Sequence, residues 1–471
     1  MEKEAAKKVD LGTGSIGYLL FRLALPAITA QIINVLYNMV DRMYIGHLPD
    51  IGANALTGVG VTFPAITEIS AFAALVSMGG APRASIMLGR GDKDTAERIL
   101  GNCTTALLIA AFLLTVIFLL YGKRILLMFG ASRATIEYGW SYMRIYSLGT
   151  VFVQLSLGLN AFINTQGYAR TGMLSVLIGA VCNIILDPLL MFGLHMGVQG
   201  AALATIISQG ISAAWVVLFL TSDRSYLNIK RRYMKPRWDI LAPALALGAA
   251  PFVMQSTESI LNICFNTSLL KYGGDLAVGA MTIQGSVMQF SMFPLQGMTQ
   301  GAQPIVSFNY GAGNIERVSA AFRTLLRACL VYSALIWAFC MFTPMLFITI
   351  FTKDAALTEY CVRSIRVYMA ASLIFGAQIA CQQTFIALGN SRASLFLALL
   401  RKVFLLIPLI YILPNIFEDK VFAVLLAEPI ADTIAVCTTV TMFYLSFRKL
   451  KREILLSRVL RNAAKSSPAD I

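Results

Sequence analysis

The chain has 471 residues, of which 57% are hydrophobic and only 13% charged, and its mean hydropathy is +0.71. That leaves too little polar surface for a water-soluble protein of this size and places the chain in a bilayer. The formal charge of +14 raises nucleic acid as a partner, but the basic residues gather in alternate connections between apolar runs, which is a topology signal and argues against that partner.

Crossing the hydrocarbon core takes roughly 20 mostly apolar residues as helix. The sequence predicts about twelve such spans, at 17–45, 53–80, 100–121, 136–162, 172–193, 198–220, 240–270, 275–305, 317–347, 357–388, 394–414 and 420–447. Ahead of them, MEKEAAKKVD has no apolar core followed by a small-residue cleavage site, so the first span is expected to act as its own insertion signal. Within that span, QIINVLYNMVDRM brings Gln31, Asn34, Asn38 and Asp41 into an arc of roughly 80° at about 100° per residue, bordered by Tyr37 and Tyr44. An Asp at the membrane centre costs roughly 2.5–3.5 kcal/mol on insertion scales, so this face must point at protein or water, and Asp41 is a functional-site candidate. Interhelical hydrogen bonding by the amides is the structural alternative.

The second span adds Glu68, and the fourth ends in Asn160 and Asn164. In the fifth, NIILDPLL sets Asn183 and Asp187 at i, i+4 on one face, and Pro188 withholds a backbone hydrogen bond, giving oxygen ligands and a bend together. Thr205 of GAALATIIS in the sixth span would complete a polar pocket. Two carboxylates in a partly dry cavity repel each other and are poorly solvated. Such a pair can take up a proton or surrender it for a cation such as Na⁺, which makes Asp41 and Asp187 a possible Na⁺ site, and the same acids could attract a cationic substrate directly.

The basic connection TSDRSYLNIKRRYMKPRWD, at 221–239, leads into the second half of the chain. The seventh span repeats the polar stripe as Gln255, Glu258 and Asn262, continued by Asn266, with the acid moved to an earlier turn than in the first. The twelfth carries Glu428 and Asp432 at i, i+4, either functional or partly solvated by the preceding connection. Beyond it, FRKLKREILLSRVLRNAAK is predicted to be a helix lying on the anionic inner leaflet as an anchor.

Self-comparison at an offset of 222 residues aligns Pro82 with Pro304, Ser85 with Ser307, Gly89 with Gly311, Gly91 with Gly313, Arg144 with Arg366, Gly167 with Gly389 and Arg170 with Arg392. The chain is therefore two six-span units, 1–220 and 240–447, joined by the linker and followed by the tail 448–471. Six is even, so both units run the same way, related by an approximate axis along the membrane normal with a cleft between them. The fold class expected is an all-α integral membrane protein with two pseudo-two-fold-related lobes. The duplicated joints, SIMLGRGDKD and SFNYGAGN, lack the strand and Lys-Ser/Thr pair of a phosphate loop and read as tight turns needing φ > 0 at glycine.

Lys3, Lys7, Lys8, Arg90, Lys93, Arg98, the linker cations and the tail cations fall on one side, against Lys123, Arg124, Arg133, Lys353 and Lys420 on the other. The positive-inside rule then predicts cytoplasmic termini, in the cell membrane. The eight cysteines have no metal-ligand or redox spacing and read as buried small hydrophobes. His47 and His195 are distant from each other, and no hydrolase or Walker pattern occurs, so an enzyme is not expected, no cofactor is expected, and energy must come from an ion gradient or the substrate.

Taken together, LYNMVDRMYIG, MGGAPRASIMLGRGD, NIILDPLLMFGLHMGVQGAALATIISQ and QGAQPIVSFNYGAGN give a sequence that resembles the multidrug and toxic compound extrusion (MATE) transporters, particularly the bacterial MepA-like branch, over nearly its whole length. The resemblance implies a monomeric exporter of cationic amphipathic drugs or dyes, coupled to H⁺ or Na⁺. It also implies that Asp41, Asn183 and Asp187 form the N-lobe cation or proton site, with Thr205 and Asn160 beside them, and that Glu258 matches an acid used in some branches. Gln31, Asn34, Tyr37, Asn38, Gln255, Glu258 and Asn262 are the candidate cleft residues. Where those branches add an acid in the tenth span, this one offers Gln378, Gln382 and Gln383, which favours the N-lobe as the cation site. The alternatives are a flippase for a lipid-linked saccharide, which calls for a cationic cleft, and a channel or non-transporting receptor.

Overall fold

The computed structural model describes residues 10–49, 51–351 and 355–466. Lys3, Lys7, Lys8 and Lys353, used above as topology signals, lie outside the described residues. All regular structure among the described residues is helical. The first lobe comprises α1 (Ile16–Gly46), α2 (Gly52–Gly89), α3 (Lys93–Met128), α4 (Ile136–Leu148 and Thr150–Thr165), α5 (Ala169–Pro188, continued as a π-helical turn over Leu189–Gly193) and α6 (Gly197–Thr221). The second lobe starts from one run, Trp238–Gly311, which breaks at Gly274 (φ 65°) into α7 (238–273) and α8 (275–311). It continues through α9 (Ile315–Phe342), α10 (Ala355–Tyr368 and Ser372–Ala387), α11 (Ser391–Leu399, a π segment Leu400–Leu406, and Ile407–Ile412) and α12 (Lys420–Ser466).

Among the described residues nine helices are long and apolar enough to cross a membrane, and the two bent pairs bring the number to eleven. The twelfth, α8, is interrupted by Gln284, Gln296, Gln300 and Gln303, so its apolarity is lower than its length would suggest. α12 runs without a break to Ser466. The helix expected for the basic tail is thus continuous with α12, and Phe447, Leu450 and Ile454 pack against a core cluster shared by α1 and the second lobe.

The two lobes share the same local devices at the expected offset. α4 bends by 58° at Gly149 and α10 by 48° just after Tyr368, and Gly149 and Ala371 are 222 apart. Gly91, Gly313, Gly167 and Gly389 all have positive φ, between 72° and 89°, as the turn reading requires. Asp92 caps α3 through the Thr95 N–H, and Asn314 caps α9 through the Arg317 N–H.

Close backbone approach holds the lobes together in the half of the molecule that carries the linker. A Cβ on Gly89 would lie 1.9 Å from the Phe308 carbonyl oxygen, and one on Gly311 would lie 2.0 Å from that of Ile86, a reciprocal pair across the pseudo-two-fold axis. Gly79 meets Ala244, and Gly248 meets Leu75, where α2 crosses α7; Gly301 and Gly297 meet Ala24 and Ile28 where α8 crosses α1. Farther along, Phe72 and Phe252 are in edge contact and the Ser256 hydroxyl donates to Glu68 at 2.9 Å. The linker is strapped to α3: Asn102 donates to the Tyr233 carbonyl, and the Arg237 N–H donates to Asn102. Residues 11–14 are strapped to the other lobe by Asn309 and Arg317.

Candidate functional site

α1 sorts its side chains by face. Ile32, Leu36, Met39 and Met43, all about half exposed, occupy one side, and Gln31, Asn34, Asn38 and Asp41 occupy the other, roughly 150° away at 100° per residue. Of the polar set, Asn38 is exposed, Gln31 and Asn34 are half-buried, and Asp41 is buried. α5 presents Asn183 and Asp187 to this face. Pro188 withholds its N–H and the ladder widens at once into the π turn Leu189–Gly193, the kind of local irregularity that accumulates at functional positions.

Asp41 and Asp187, expected as partners, are brought close to each other where α1 packs on α5, and Asp187 is completely buried. The Asn183 amide donates to Asp187 Oδ1 at 3.2 Å. Asp41 Oδ1, Asp187 Oδ2 and Asn183 Oδ1 are buried and accept no hydrogen bond. Arg42 turns its guanidinium over the Phe63 ring, 5.1 Å from its centroid, and forms no ion pair with either acid. Buried carboxyl oxygens without donors are strongly disfavoured unless a proton or a cation joins them.

The remaining expected neighbours line a cavity of about 30 Å³ beside this pair, with Asn34, Tyr37, Asn160, Asn183 and Thr205 in its wall. Asp41 and Asp187 border it through Tyr37 and Asn183. That volume holds a water or a bare small cation and excludes an organic dye. Asn160 donates to the Gly172 carbonyl and the Ser175 hydroxyl, and Asn164 donates to Asn160. Sequence reasoning missed Gln209, which lines the same cavity and accepts from the Ser156 hydroxyl at 2.7 Å, and Tyr142, buried near Asp41; nothing in their spacing marks them.

The second lobe is built differently. Glu258, Asn262 and Asn266 are exposed along one face of α7, with Gln255 half-buried beside them. Glu258 is ion-paired with Lys402 of α11, whose ammonium also donates to the Met254 carbonyl at 2.8 Å. The adjacent Arg401 donates from Nε to Asp432 at 2.6 Å and from Nη2 to Glu428 at 3.0 Å, and stacks on the Phe375 ring. Glu428 and Asp432 are 5% and 3% exposed, so the solvation reading of these acids is overturned: each faces a buried guanidinium. The placement of basic residues at the connections likewise has an exception in Arg401 and Lys402, inside a span. The signal was legible, because each charge at that depth costs roughly 2.5–3.5 kcal/mol and demands a partner. Gln382 of α10 donates to the Met254 sulfur, while Gln378 Oε1 is buried without a donor. Glu68 joins neither cluster and bonds across the lobes to Ser256. Among the described residues no three His, Cys, Asp or Glu side chains are grouped as a metal would require.

A family model described as MatE matches residues 26–189 and again 251–412, one copy per lobe. The multidrug export protein MepA of Staphylococcus haemolyticus is 25% identical over 435 residues, covering 91% of this chain and 93% of that protein. Two solved structures have the same fold at 22% identity. One, described as MATE in the bent conformation, has a TM-score of 0.89 and covers 95% of this chain and 100% of its own. The other, an outward-facing multidrug resistance MATE family transporter of the MOP superfamily, has a TM-score of 0.87 and covers 94% and 99%.

Proposed function

Because the chain belongs to the MatE family, a set of multi-pass membrane proteins, we propose that it is a secondary active multidrug exporter that expels cationic amphipathic compounds in exchange for H⁺ or Na⁺ by alternating access. The observation that carries this reading is the pair of buried carboxyls, Asp41 and Asp187, close to each other with unpartnered oxygens beside a cavity too small for a drug. The size separates two jobs. The coupling ion is held inside the first lobe by Asp41, Asp187 and Asn183, with Thr205 and Asn160 ordering the surroundings, and the organic substrate is held in the cleft. The cleft walls are the polar faces of α1 (Gln31, Asn34, Tyr37, Asn38) and α7 (Gln255, Glu258, Asn262). α1 belongs to both sites, so loading the acids with an ion changes the helix face that the substrate meets. Reciprocal coupling follows, since a ligand that weakens the hold on the other is weakened by it equally.

The lobes are packed at the linker side and their polar faces are exposed farther along, so rocking about the glycine crossings opens one side while closing the other. The linker side is assigned to the cytoplasm of a monomer in the cell membrane. A saccharide-lipid flippase calls for a cationic cleft; the two buried cations of the second lobe, Arg401 and Lys402, are each paired with acids, which favours export of cations. The test is uptake of a fluorescent cation into inverted vesicles with ΔpH and a Na⁺ gradient imposed separately, comparing wild type with Asp41→Asn. One gradient is expected to drive transport in wild type and neither in the variant. Unchanged gradient-driven uptake in the variant removes Asp41 from coupling, and transport of a lipid-linked sugar without transport of cations favours the flippase.

A further inference from the structure

The second lobe holds five charged side chains in one cluster: Glu258 on α7, Arg401 and Lys402 on α11, and Glu428 and Asp432 on α12. A π segment, Leu400–Leu406, contains both cations. It aims two successive side chains at different helices, Arg401 at α12 and Lys402 at α7. The cluster is graded in exposure. Glu428, Asp432 and Arg401 have side chains at most 9% exposed, Lys402 is 3% exposed, and Glu258 is 59% exposed. A molecule in the cleft therefore reaches one carboxylate of the three. That carboxylate already holds an ammonium on its inner side, fixed from a second direction by the Met254 carbonyl.

We propose that Lys402 is a tethered counter-ion that sets the charge selectivity of the cleft: by pairing with Glu258 it occupies the one carboxylate of this cluster that the cleft exposes, so the exporter discriminates in favour of singly charged cations over doubly charged ones. The inference rests on the cleft reading above. A monocation is held in the cleft by the amide oxygens and the ring of the polar faces of α1 and α7 (Gln31, Asn34, Tyr37, Asn38, Gln255 and Asn262), which needs no free carboxylate. The second charge of a dication meets Glu258 with Lys402 already attached, and to use that carboxylate it must displace an ammonium that is covalently tethered and therefore present at very high effective concentration. Selectivity is a difference of affinities, and occupying the carboxylate from within removes the gain that a second charge would otherwise bring. Arg401 does not substitute for Lys402, because its Nε and Nη2 donors are committed to Asp432 and Glu428.

Ethidium and propidium test this, since they share one aromatic cation and propidium adds a quaternary ammonium on an arm. Their dissociation constants are measured by fluorescence on the full-length protein in nanodiscs, with a melting curve for each variant. Wild type is expected to bind propidium no more tightly than ethidium. Lys402→Met is expected to shift the ratio at least about tenfold toward propidium, and the double variant Lys402→Met with Glu258→Gln to return it to the wild-type value. A wild type that already prefers propidium tenfold overturns the proposal without any variant, whether or not Lys402→Met folds. An unchanged ratio in folded Lys402→Met overturns it as well. If neither dye binds wild type, the cleft reading fails and this proposal with it, whereas ethidium binding with an unmoved ratio removes only the proposal.

Discussion

The two lobes share a scaffold and differ in how they handle charge inside the membrane. In the first, Asp41 and Asp187 lie close to each other with orphaned oxygens. In the second, three acids enclose two cations, and the two deepest acids share one guanidinium. The two lobes handle buried acids by opposite means: the first leaves carboxyl oxygens without a partner, and the second pairs its acids with cations of its own. Duplication preserved the turns, the helix bends and the glycine crossings, while the side chains inside each bundle diverged.

The sharpest way to break this comparison is to neutralise an acid in each lobe. Asp187→Asn is expected to abolish gradient-driven efflux while leaving the melting temperature unchanged or raised, because it removes a charge that has no fixed partner. Efflux in vesicles and thermal unfolding of the purified protein report the two halves of that expectation. Arg401→Met is expected to act on stability instead, costing about 3–5 kcal/mol by leaving Glu428 and Asp432 buried without their cation. A small loss in denaturant unfolding would mean that the second lobe also accommodates exchangeable protons.

Smaller effects test how far the scaffold is symmetric. Gly89→Ala and Gly311→Ala each force a methyl against a backbone carbonyl at about 2 Å, an overpacking cost of about 1–3 kcal/mol. The two are expected to speed labelling of a Ser85→Cys thiol to a similar degree, and a strong inequality would show that the crossing is not shared equally. The least effect is expected at the helix caps, where Asp92→Ala and Asn314→Ala each cost about 0.5–2 kcal/mol. Here pH distinguishes the lobes. The Thr95 hydroxyl and N–H hold the Asp92 carboxyl below its usual range, so its contribution is complete above the ordinary Asp value of about 3.9 and is lost as pH falls through the lowered one. The Asn314 cap does not titrate, so the gap between wild type and variant is expected to narrow in acid for Asp92 and to stay constant for Asn314, as read by unfolding at a series of pH values.

Much of this architecture was written in local pattern. Apolar runs of membrane length, the offset of 222 between glycines and prolines, and the position of Pro188 in α5 depend on residues close together in the chain. They predicted the membrane class, the helix plan, the duplicated turns and the polar face of α1. The helix predicted for the tail is present, and what the run of Lys and Arg left open is its junction: it continues α12 without a break, with Phe447, Leu450 and Ile454 packed on a core cluster. Which charges neutralise each other was decided only in three dimensions. Glu258 and Lys402 are 144 residues apart, and no periodicity connects them. Helical spacing determines the face on which a side chain stands. What stands opposite depends on how bent helices pack, and in a medium that solvates ions poorly that pairing separates a carboxyl left without an ion-pair partner from one whose charge is compensated.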